Sequence, residues 1–480
     1  MSDSTKKLGL LGLTAIVFSS IVGGGIYNIA QNMAAGAGLG AVIISWVITA
    51  IGMIFLVYTF KVLSDKRSDL NAGIYQYAQV GYGNFVGFCV AWGYWLCTAT
   101  GNVAYAVMLN DSCAAFCPVL LDHGWQTVVF GSALIWLMYF VVVGGLRTAS
   151  FLNVLITVIQ MASLVLIVAI LVIFFKMKMF TYDFWGQLTD LGSVGSQLRT
   201  TMLVTLWCFT GIEGAVMMSS RAKRASDVGK AGIIGFICAW LLYALVSVLS
   251  FGIMHQAELA KLPDPSVAYV LKHTCGNWAY YFVITAIVFS ILGGWIAWTL
   301  VCAQVPAEAA KVKIFPKRFM RLNKKNMPAF GLLVSSIVMQ VFMCLVVTSH
   351  SVYLAALDLT SLMVLPAYLF SGMFLWKCTL ASRRQPPLIG FKSSHQRNIL
   401  RFIGVGATVF CSYILCTSNW ALMTVTVLFY LPGVFFYVKA RHEYYPGQAV
   451  FTTAEKWILG ALIALGVVAV ILLATGHSGL

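Results

Sequence analysis

Two glycine clusters interrupt apolar stretches of this sequence at points where chemistry could take place. The first, Gly23-Gly24-Gly25, lies in SSIVGGGIYN, and the second, Gly211 and Gly214, flanks an acidic residue in TGIEG. An interrupted helix frees backbone N–H and C=O groups that can bond a ligand. Each interruption begins at a similar depth, about fifteen and about thirteen residues into its stretch. Such a pair favours a binding site between two broken helices, whereas a lone cluster would be typical of helix packing.

The two interruptions offer complementary chemistry. The helical piece after the first one directs its positive end at the gap, which suits a carboxylate. The second frees carbonyl groups and carries Glu213, whose ionisable side chain costs at least ~2.5 kcal/mol within a membrane. Burial favours the neutral carboxyl and a cationic ligand favours the charged one, so the proton on Glu213 can depend on substrate. The pattern therefore favours a zwitterionic substrate, such as an amino acid. Asp358 is a second candidate for an ionisable functional residue, and the alternative is that its position near a helix end leaves it solvated.

Aromatic residues complete a site for a cation. Tryptophans Trp295 and Trp298 stand three apart near the middle of an apolar stretch, where an interfacial belt is not expected. An indole face there can stack on a guanidinium for up to ~2 kcal/mol when desolvated. One helical face of an earlier stretch carries hydrogen-bonding and small residues, namely Tyr94, Thr98, Gly101 or Asn102, and Tyr105.

The elements that hold these residues are membrane spans. The 480 residues are 60% hydrophobic and 10% charged, with a mean hydropathy of +0.88, which predicts an all-α polytopic membrane protein. Thirteen spans are predicted, near 8–30, 39–60, 83–109, 126–145, 151–175, 198–220, 231–254, 279–305, 329–348, 351–376, 400–417, 420–438 and 457–475.

Lysine and arginine orient the bundle. With the N-terminus inside, all but five of the 31 basic residues fall on the inner side, so a cytoplasmic N-terminus is predicted. The exceptions are Lys176, Lys178, Arg199, Lys261 and Lys272. Because the basic residues are scattered through short inner loops, the net charge of +16 does not indicate nucleic-acid binding.

Other chemistries find little support in the sequence. The seven histidines form no metal-binding spacing, and no Walker loop or nucleophile with a base is present, so no metal, cofactor or enzymatic activity is expected. Most of the twelve cysteines lie in spans as packing residues. Cys113 and Cys117 lie in an outer loop, and their spacing leaves a disulfide open.

Several motifs together resemble one superfamily. They are SSIVGGGIYNIAQNMA, NAGIYQYAQVGYGNFVGFCVAWGYWLC, GNVAYAVM, TLWCFTGIEGAV followed by DVGKA, and WTLVCAQVPAEAAKVKIFP. Over about residues 8–440 the chain resembles the amino acid–polyamine–organocation (APC) superfamily, and within it the basic amino acid/polyamine antiporters, most closely bacterial arginine/agmatine exchangers. The resemblance implies a 12-helix core with a five-plus-five inverted repeat and broken helices 1 and 6. The repeats would cover 8–175 and 198–376, and 400–475 would hold the last spans with an extra C-terminal helix.

The resemblance also assigns residues to the site. Backbone amides of the glycine cluster would receive the substrate carboxylate, Trp207 would cover bound substrate, Trp298 would stack on it, and Glu213 would be the proton-linked residue. Tyr94 would be a gate residue and Asn102 a contact, with a span-ten hydroxyl from Thr360 or Ser361. The implied substrate contacts are Ile21, Gly23, Gly24, Gly25, Tyr94, Asn102, Tyr105, Trp207, Thr210, Trp298, Thr360 and Ser361.

Two departures from the family pattern matter. Gly24 replaces a side-chain hydroxyl of many relatives, which leaves the carboxylate to peptide amides. Gln160 stands where proton-coupled relatives place a lysine, and without that fixed cation a proton symporter is disfavoured.

The expected function is therefore exchange in a bacterial inner membrane. The resemblance implies uptake of extracellular arginine against intracellular agmatine, coupled to arginine decarboxylation and acid resistance. Arginine/ornithine or lysine/cadaverine exchange stays open, as does the oligomeric state, a homodimer included. A receptor or a channel is a remote alternative, because no signalling domain or filter motif is present.

Overall fold

The polypeptide folds almost entirely into helices. The structure, a computed structural model, describes residues 8–122, 124–346, 350–380, 389–418 and 420–475. Those residues contain no β-strand, only an isolated bridge between Leu8 and Ala222. A helix bonds its own peptide groups, so it is the form in which apolar stretches of this length can cross lipid.

Helical segments lie at each of the thirteen predicted positions. They are span 1, Leu10–Val22 and Ile29–Ala34; span 2, Leu39–Lys66; span 3, Asn84–Ala114; span 4, Trp125–Val143; span 5, Leu146–Ile173; span 6, Val194–Cys208 and Gly214–Met217; span 7, Ala225–Ser250; span 8, Asn277–Lys311; span 9, Ala329–Val346; span 10, His350–Thr379; span 11, Ser394–Thr417; span 12, Trp420–Thr426 and Leu431–Tyr444; and span 13, Thr453–Ala474. Short helices outside the spans are Ile74–Tyr82, Met177–Phe180, Gln256–Leu259 and Ser266–Cys275.

Nine of the helices in the described ranges are long and apolar enough to cross a membrane, namely spans 2, 4, 5, 7, 8, 10, 11, 12 and 13. Spans 1 and 6 are each divided into two shorter pieces. Span 3 is long enough, but its tyrosine, threonine and asparagine residues lower its hydropathy. The predicted fold class, an all-α polytopic membrane protein with helices 1 and 6 broken, is confirmed. The side chain of Asp358 lies outside the described part of the chain.

Span 8 is at the centre of the bundle and span 13 is at its edge. In the most apolar 18-residue window, 83% of span 8 is buried against 11% of span 13. Span 8 packs against spans 1, 3 and 5, and span 1 also packs against span 7. The second piece of span 6 also contacts span 8, so both broken helices lie against the most buried of the nine long apolar helices.

Span 13 packs against span 12, and one carboxylate at its N-terminus bonds it to span 3. Glu455 accepts hydrogen bonds from the backbone N–H of Phe85, at 2.9 Å, and from the Tyr437 hydroxyl, at 3.3 Å. Its second oxygen accepts from the Thr452 N–H in a capping box. One side chain thus caps its own helix and the N-terminus of span 3, which carries Tyr94 and Tyr105.

Replacing Glu455 by alanine is expected to lower the melting temperature of the purified protein by a few degrees. The change removes the acceptor for the N–H groups of Phe85 and Thr452, each such bond being typically about 1 kcal/mol, while the Thr452 hydroxyl still caps the helix of span 13. Lys456→Ala, at the exposed neighbouring position, is the control and should melt like the wild type. Equal melting temperatures for the two variants would contradict the capping role.

Candidate functional site

Span 1 is interrupted at its glycine cluster. The helix Leu10–Val22 ends there, Gly25–Tyr27 form a single 3₁₀ turn, and Ile29–Ala34 completes the span. Gly23 has a φ of +37°, a backbone conformation that side-chain-bearing residues rarely adopt. The interruption frees four carbonyl groups of the preceding turn from helical hydrogen bonding.

Side chains of span 8 donate hydrogen bonds to the first and the last of these four carbonyls, those of Ser20 and Gly23. The indole N–H of Trp298 donates to the carbonyl of Ser20 at 3.0 Å, and the Ser290 hydroxyl donates to the carbonyl of Gly23. The first bond fixes the edge of the Trp298 ring against span 1. The ring that was predicted to stack on substrate is therefore attached directly to the break.

A side chain of span 7 donates to the other two carbonyls, those of Ile21 and Val22. The Tyr243 hydroxyl lies 3.0 Å from the carbonyl oxygen of Ile21 and 3.1 Å from that of Val22. Its ring is buried and stacks on Trp46, with centroids 6.0 Å apart and planes at 29°. Sequence reasoning missed this residue.

The amides of the break remain open as hydrogen-bond donors. Within the described ranges, the N–H groups of Gly24 and Gly25 make no backbone hydrogen bond, while Gly23 N–H still bonds to Ser19 at 3.2 Å. Successive free amides form an anion-binding concavity. The break in span 1 therefore offers free N–H groups to a ligand, whereas its carbonyl groups already accept hydrogen bonds from neighbouring side chains.

Span 6 is interrupted beside span 1. The helix Val194–Cys208 ends before Gly211, which has a φ of +110°, and a short helix Gly214–Met217 follows. A Cβ added to Gly211 would lie 2.8 Å from both the Cβ and the carbonyl oxygen of Ser20. The two broken helices thus touch backbone to backbone, an approach that only glycine permits.

Glu213 connects the second break to spans 3 and 10. Its carboxylate accepts hydrogen bonds from the Tyr94 hydroxyl, at 2.5 Å, from the Tyr368 hydroxyl, and from the Gly211 N–H at 3.2 Å. The side chain is fully buried, and its bonded partners in the described residues include no lysine or arginine. Any change in its charge must therefore be transmitted through the two tyrosines or the broken backbone.

A small cavity of about 50 Å³ lies between the two breaks. It is lined by Ser20, Ile21, Val22, Gly23, Gly25, Gly101, Ala104, Tyr105, Met108, Trp207, Thr210, Tyr243, Trp298 and Thr360. Eight of the twelve contacts predicted from the sequence are among them, namely Ile21, Gly23, Gly25, Tyr105, Trp207, Thr210, Trp298 and Thr360. The cavity brings together residues from spans 1, 3, 6, 7, 8 and 10.

Four predicted contacts do not line the cavity. Tyr94 bonds Glu213, and the Asn102 amide donates to Thr98 and accepts from Thr299, so both side chains are bonded to other helices. Ser361, beside the lining residue Thr360, is buried. Gly24 is covered by Met108, whose Cε lies 2.5 Å from where a Cβ would stand.

The hydroxyl of Thr210 is an unused polar group in the cavity. It is buried and has no hydrogen-bond partner among the described residues. An unpaired buried hydroxyl costs about 1–3 kcal/mol, which a ligand donor such as an ammonium group would recover. Thr210 therefore offers a ligand a hydrogen-bonding group that no described residue uses.

The cavity must widen to admit an organic molecule, because small-molecule pockets have volumes of roughly 300–1,000 Å³. Each glycine of the cluster faces a large side chain where a Cβ would lie, Tyr105 at Gly23, Met108 at Gly24 and Trp207 at Gly25. These three side chains fill the space beside the open amides. Their displacement is the local movement that substrate entry requires.

Neutral amides lie behind the break in span 1. Gln160 of span 5 donates to Ser290 at 2.6 Å, and Asn153 donates at 2.9 Å to both Ser19 and the Gly293 carbonyl. Gln160 is thus part of an uncharged network that supports the Ser290 bond to Gly23.

A second cavity is larger but apolar. Its volume is about 400 Å³, and it lies between spans 3, 10, 11, 12 and 13, against residues such as Val86, Leu362 and Leu462. The smaller cavity is instead lined by Gly25 with its open amide, the unpaired Thr210 hydroxyl and Trp298, so it is the candidate site for a polar substrate.

Cys113 and Cys117, for which the sequence leaves a disulfide open, are both free thiols.

The fold is that of a membrane transporter, and its candidate binding cavity lies between two broken helices. The family model described as amino acid permease matches residues 8–442, and the chain belongs to that family.

Relatives and a solved structure agree with this class. The chain is 39% identical to an arginine/agmatine antiporter of Chlamydia pneumoniae, over 99% of both proteins. It is 38% identical to an amino-acid transporter of Clostridium perfringens, over 98% of this chain and 99% of the relative. A sodium-coupled sialic acid symporter, solved in a substrate-bound outward-open state, shares the fold with a TM-score of 0.52 and 12% identity, over 85% of this chain and 91% of the symporter.

Proposed function

We propose that this protein is an antiporter that exchanges extracellular L-arginine for intracellular agmatine. The observation that carries the proposal is the cavity itself, in which the open amide of Gly25 and the indole of Trp298 line the same space. A ligand with a carboxylate at one end and a guanidinium at the other matches this pair. The name of the 39% identical relative from Chlamydia pneumoniae supports the same substrates.

Each part of arginine has a partner in the proposed complex. The carboxylate accepts from the amides of Gly24 and Gly25, and the α-ammonium donates to the Thr210 hydroxyl. The guanidinium stacks on Trp298, with Trp207 covering the bound substrate. Agmatine shares the ammonium and the guanidinium but lacks the carboxylate.

The proposed exchange is electrogenic. Arginine carries about +1 and agmatine about +2 near neutral pH, so each cycle exports one positive charge. The inside-negative potential opposes that export by ~2.3 kcal/mol per 100 mV, so the agmatine gradient supplies the drive. With decarboxylation inside the cell, each cycle consumes a cytoplasmic proton, which serves acid resistance. We place the protein in a bacterial inner membrane with its N-terminus in the cytoplasm.

The proposed transport cycle moves the two inverted repeats, 8–175 and 198–376, against each other. Tyr105, Met108 and Trp207 would leave the break when substrate enters. Since no sodium ion is invoked, exchange should proceed equally in sodium and potassium buffers.

Reconstituted vesicles provide the direct test. Vesicles loaded with agmatine should take up labelled arginine, and empty vesicles should not. Uptake that does not depend on internal agmatine would contradict antiport. A counterflow panel of arginine, agmatine, ornithine, lysine and cadaverine then identifies the substrates, and preference for ornithine or cadaverine over agmatine would replace the proposed pair.

Replacing Glu213 by glutamine is expected to flatten the pH dependence of exchange. Glutamine keeps the size of the side chain and an acceptor for one tyrosine hydroxyl, but it cannot titrate. A single titrating group changes a rate by at most about tenfold per pH unit, and that slope should disappear. The measurement is arginine counterflow from pH 5 to 8.

The matched control is Glu308→Gln at the inner end of span 8. Glu308 is also buried, and it accepts from Ser220 and Lys311 away from the cavity. This variant should keep the wild-type pH profile. A wild-type slope in Glu213→Gln would exclude Glu213 as the proton-linked residue.

A further inference from the structure

The larger cavity shares two helices with the candidate substrate site but lies on their other faces. Thr360 of span 10 lines the smaller cavity, whereas Leu362, two residues further along the helix, lines the larger one. Two residues correspond to about 200° of rotation around a helix. Span 3 likewise places Gly101 against the smaller cavity and Val90 against the larger one. The larger cavity is thus a separate space, which the proposed exchange does not use.

The lining of the larger cavity suits an apolar occupant. None of the side chains that line it in the described part of the chain is charged, and the polar ones are Cys89, Thr426 and Tyr430. The others are aliphatic residues, a methionine, a proline and a phenylalanine. Leu362 and Met423, which both line it, belong to a small apolar cluster that is separate from the main core. The cavity therefore divides the apolar packing at this edge of the bundle.

The size and the lining of this cavity disfavour water and fit a hydrocarbon chain. An apolar cavity of roughly 150 Å³ stays dry and can take up a benzene ring of six carbons, so by proportion about 400 Å³ accommodates roughly sixteen carbons. An empty cavity costs free energy that rises with its volume. Because acyl chains surround the bundle, a chain from the bilayer removes this cost without burying an unpaired polar group.

The cavity reaches the lipid-facing surface near the start of span 13. Ile458 lines the cavity and is 37% exposed. The preceding Trp457 is 79% exposed, and an exposed tryptophan at the end of a span is typical of the membrane–water interface. Span 10 ends on the side where span 13 begins, and the cavity follows it from Phe370 to Leu362, about 12 Å deeper. A chain can therefore enter at the level of the interface and run along the helices.

We propose that this cavity is a binding site for one acyl chain of a membrane phospholipid. The chain enters beside Ile458, leaves its head group at the level of Trp457, and packs between spans 3 and 10 on one side and spans 12 and 13 on the other. Span 13 thus holds a lipid against the two helices that carry Tyr94 and Tyr368, the tyrosines that bond Glu213. This site does not depend on which substrates are exchanged.

Photo-crosslinking of the full-length protein tests this site. The protein is placed in vesicles of phosphatidylethanolamine and phosphatidylglycerol with a trace of phosphatidylcholine that carries a diazirine on one acyl chain. Mass spectrometry then locates the label after irradiation. We expect label on Leu362 and on Val90, which is only 2% exposed and so is shielded from the surrounding bilayer. Val158, on the exposed face of span 5, reports ordinary lipid contact. Label on Val158 without label on Val90 or Leu362 would overturn the proposal.

A second arm of the experiment identifies the source of the chain. The same photoreactive chain is supplied as a free fatty acid to vesicles that lack the photoreactive phospholipid. Label on Val90 from the free acid, together with none from the phospholipid, would overturn a phospholipid as the occupant.

Leu462→Trp should exclude the end of the chain from the cavity. Leu462 lines the cavity one helical turn beyond Ile458, so an indole there takes space on the path from the surface to Leu362. We expect labelling of Leu362 to fall at least about fivefold, because a packed interior leaves no room for both groups.

Ile463→Trp is the matched control for this variant. Ile463 is the next residue of span 13, is exposed and does not line the cavity, so its variant should be labelled like the wild type. Equal labelling of Leu362 in the two variants would overturn the proposal. If Leu462→Trp does not fold, the label on Val90 and Leu362 in the wild type decides the question alone.

Discussion

Gly211→Ala is expected to reduce arginine exchange at least about a hundredfold, which corresponds to roughly 2.7 kcal/mol. Two costs combine at this position. A φ of +110° is strained for any residue with a side chain, by about 1–3 kcal/mol. The new methyl group would also lie 2.8 Å from the Ser20 carbonyl oxygen, and overpacking costs a further 1–3 kcal/mol, as a rough figure.

The clash at Gly211 involves backbone, so it cannot be relieved by a rotamer change. Ser20 would have to move, and its carbonyl is the acceptor that fixes the Trp298 indole. Gly232→Ala in span 7 is the control, because a Cβ there meets nothing within 4 Å. That variant should exchange and melt at least as well as the wild type, since alanine favours a helix over glycine. Wild-type exchange by Gly211→Ala would show that the breaks do not need this close approach.

Trp298→Leu is expected to weaken the binding of arginine and agmatine alike, by about thirtyfold, because a desolvated cation–π contact contributes up to ~2 kcal/mol. Both ligands carry the guanidinium, so their affinity ratio should not change. Titration calorimetry on the purified protein measures both affinities.

Trp298→Phe separates the two roles of the tryptophan. Phenylalanine keeps an aromatic face but loses the N–H bond to Ser20, so its affinities should fall between those of the wild type and Trp298→Leu. Melting temperatures identify any variant that has lost its fold. If Trp298→Leu bound both ligands like the wild type, the stacking role would be wrong.

The helices and the interruptions within them could be predicted from the sequence alone. Span length follows from apolar composition, and each break follows from glycines in a stretch that lipid would otherwise require to be continuous. Gly23 and Gly25 could be assigned to the cavity for the same reason, since the backbone pattern of their own span carries the signal, whereas Thr210 was implied by the resemblance alone.

Residues opposite the breaks were harder to predict. Tyr243 lies more than two hundred positions from the carbonyls that it bonds, and a tyrosine in an apolar span is equally compatible with packing alone. Asn102 has the right spacing for the cavity face, but its amide is bonded to Thr98 and Thr299. Met108 continues the face of Tyr105 by one helical turn, a signal that was available but is shared with ordinary core residues.

The glycine cluster has a consequence for how substrate length can change among related transporters. Span 1 supplies only peptide groups to its break, so the room available to a ligand is set by Met108 and the other side chains that face the cluster. A shorter residue at position 108 would widen the cavity beside Gly24 and leave the backbone of span 1 unchanged. Under the proposed function, the peptide groups that receive the carboxylate and the side chain that sets the room beside them would therefore belong to separate helices, and each could change without the other.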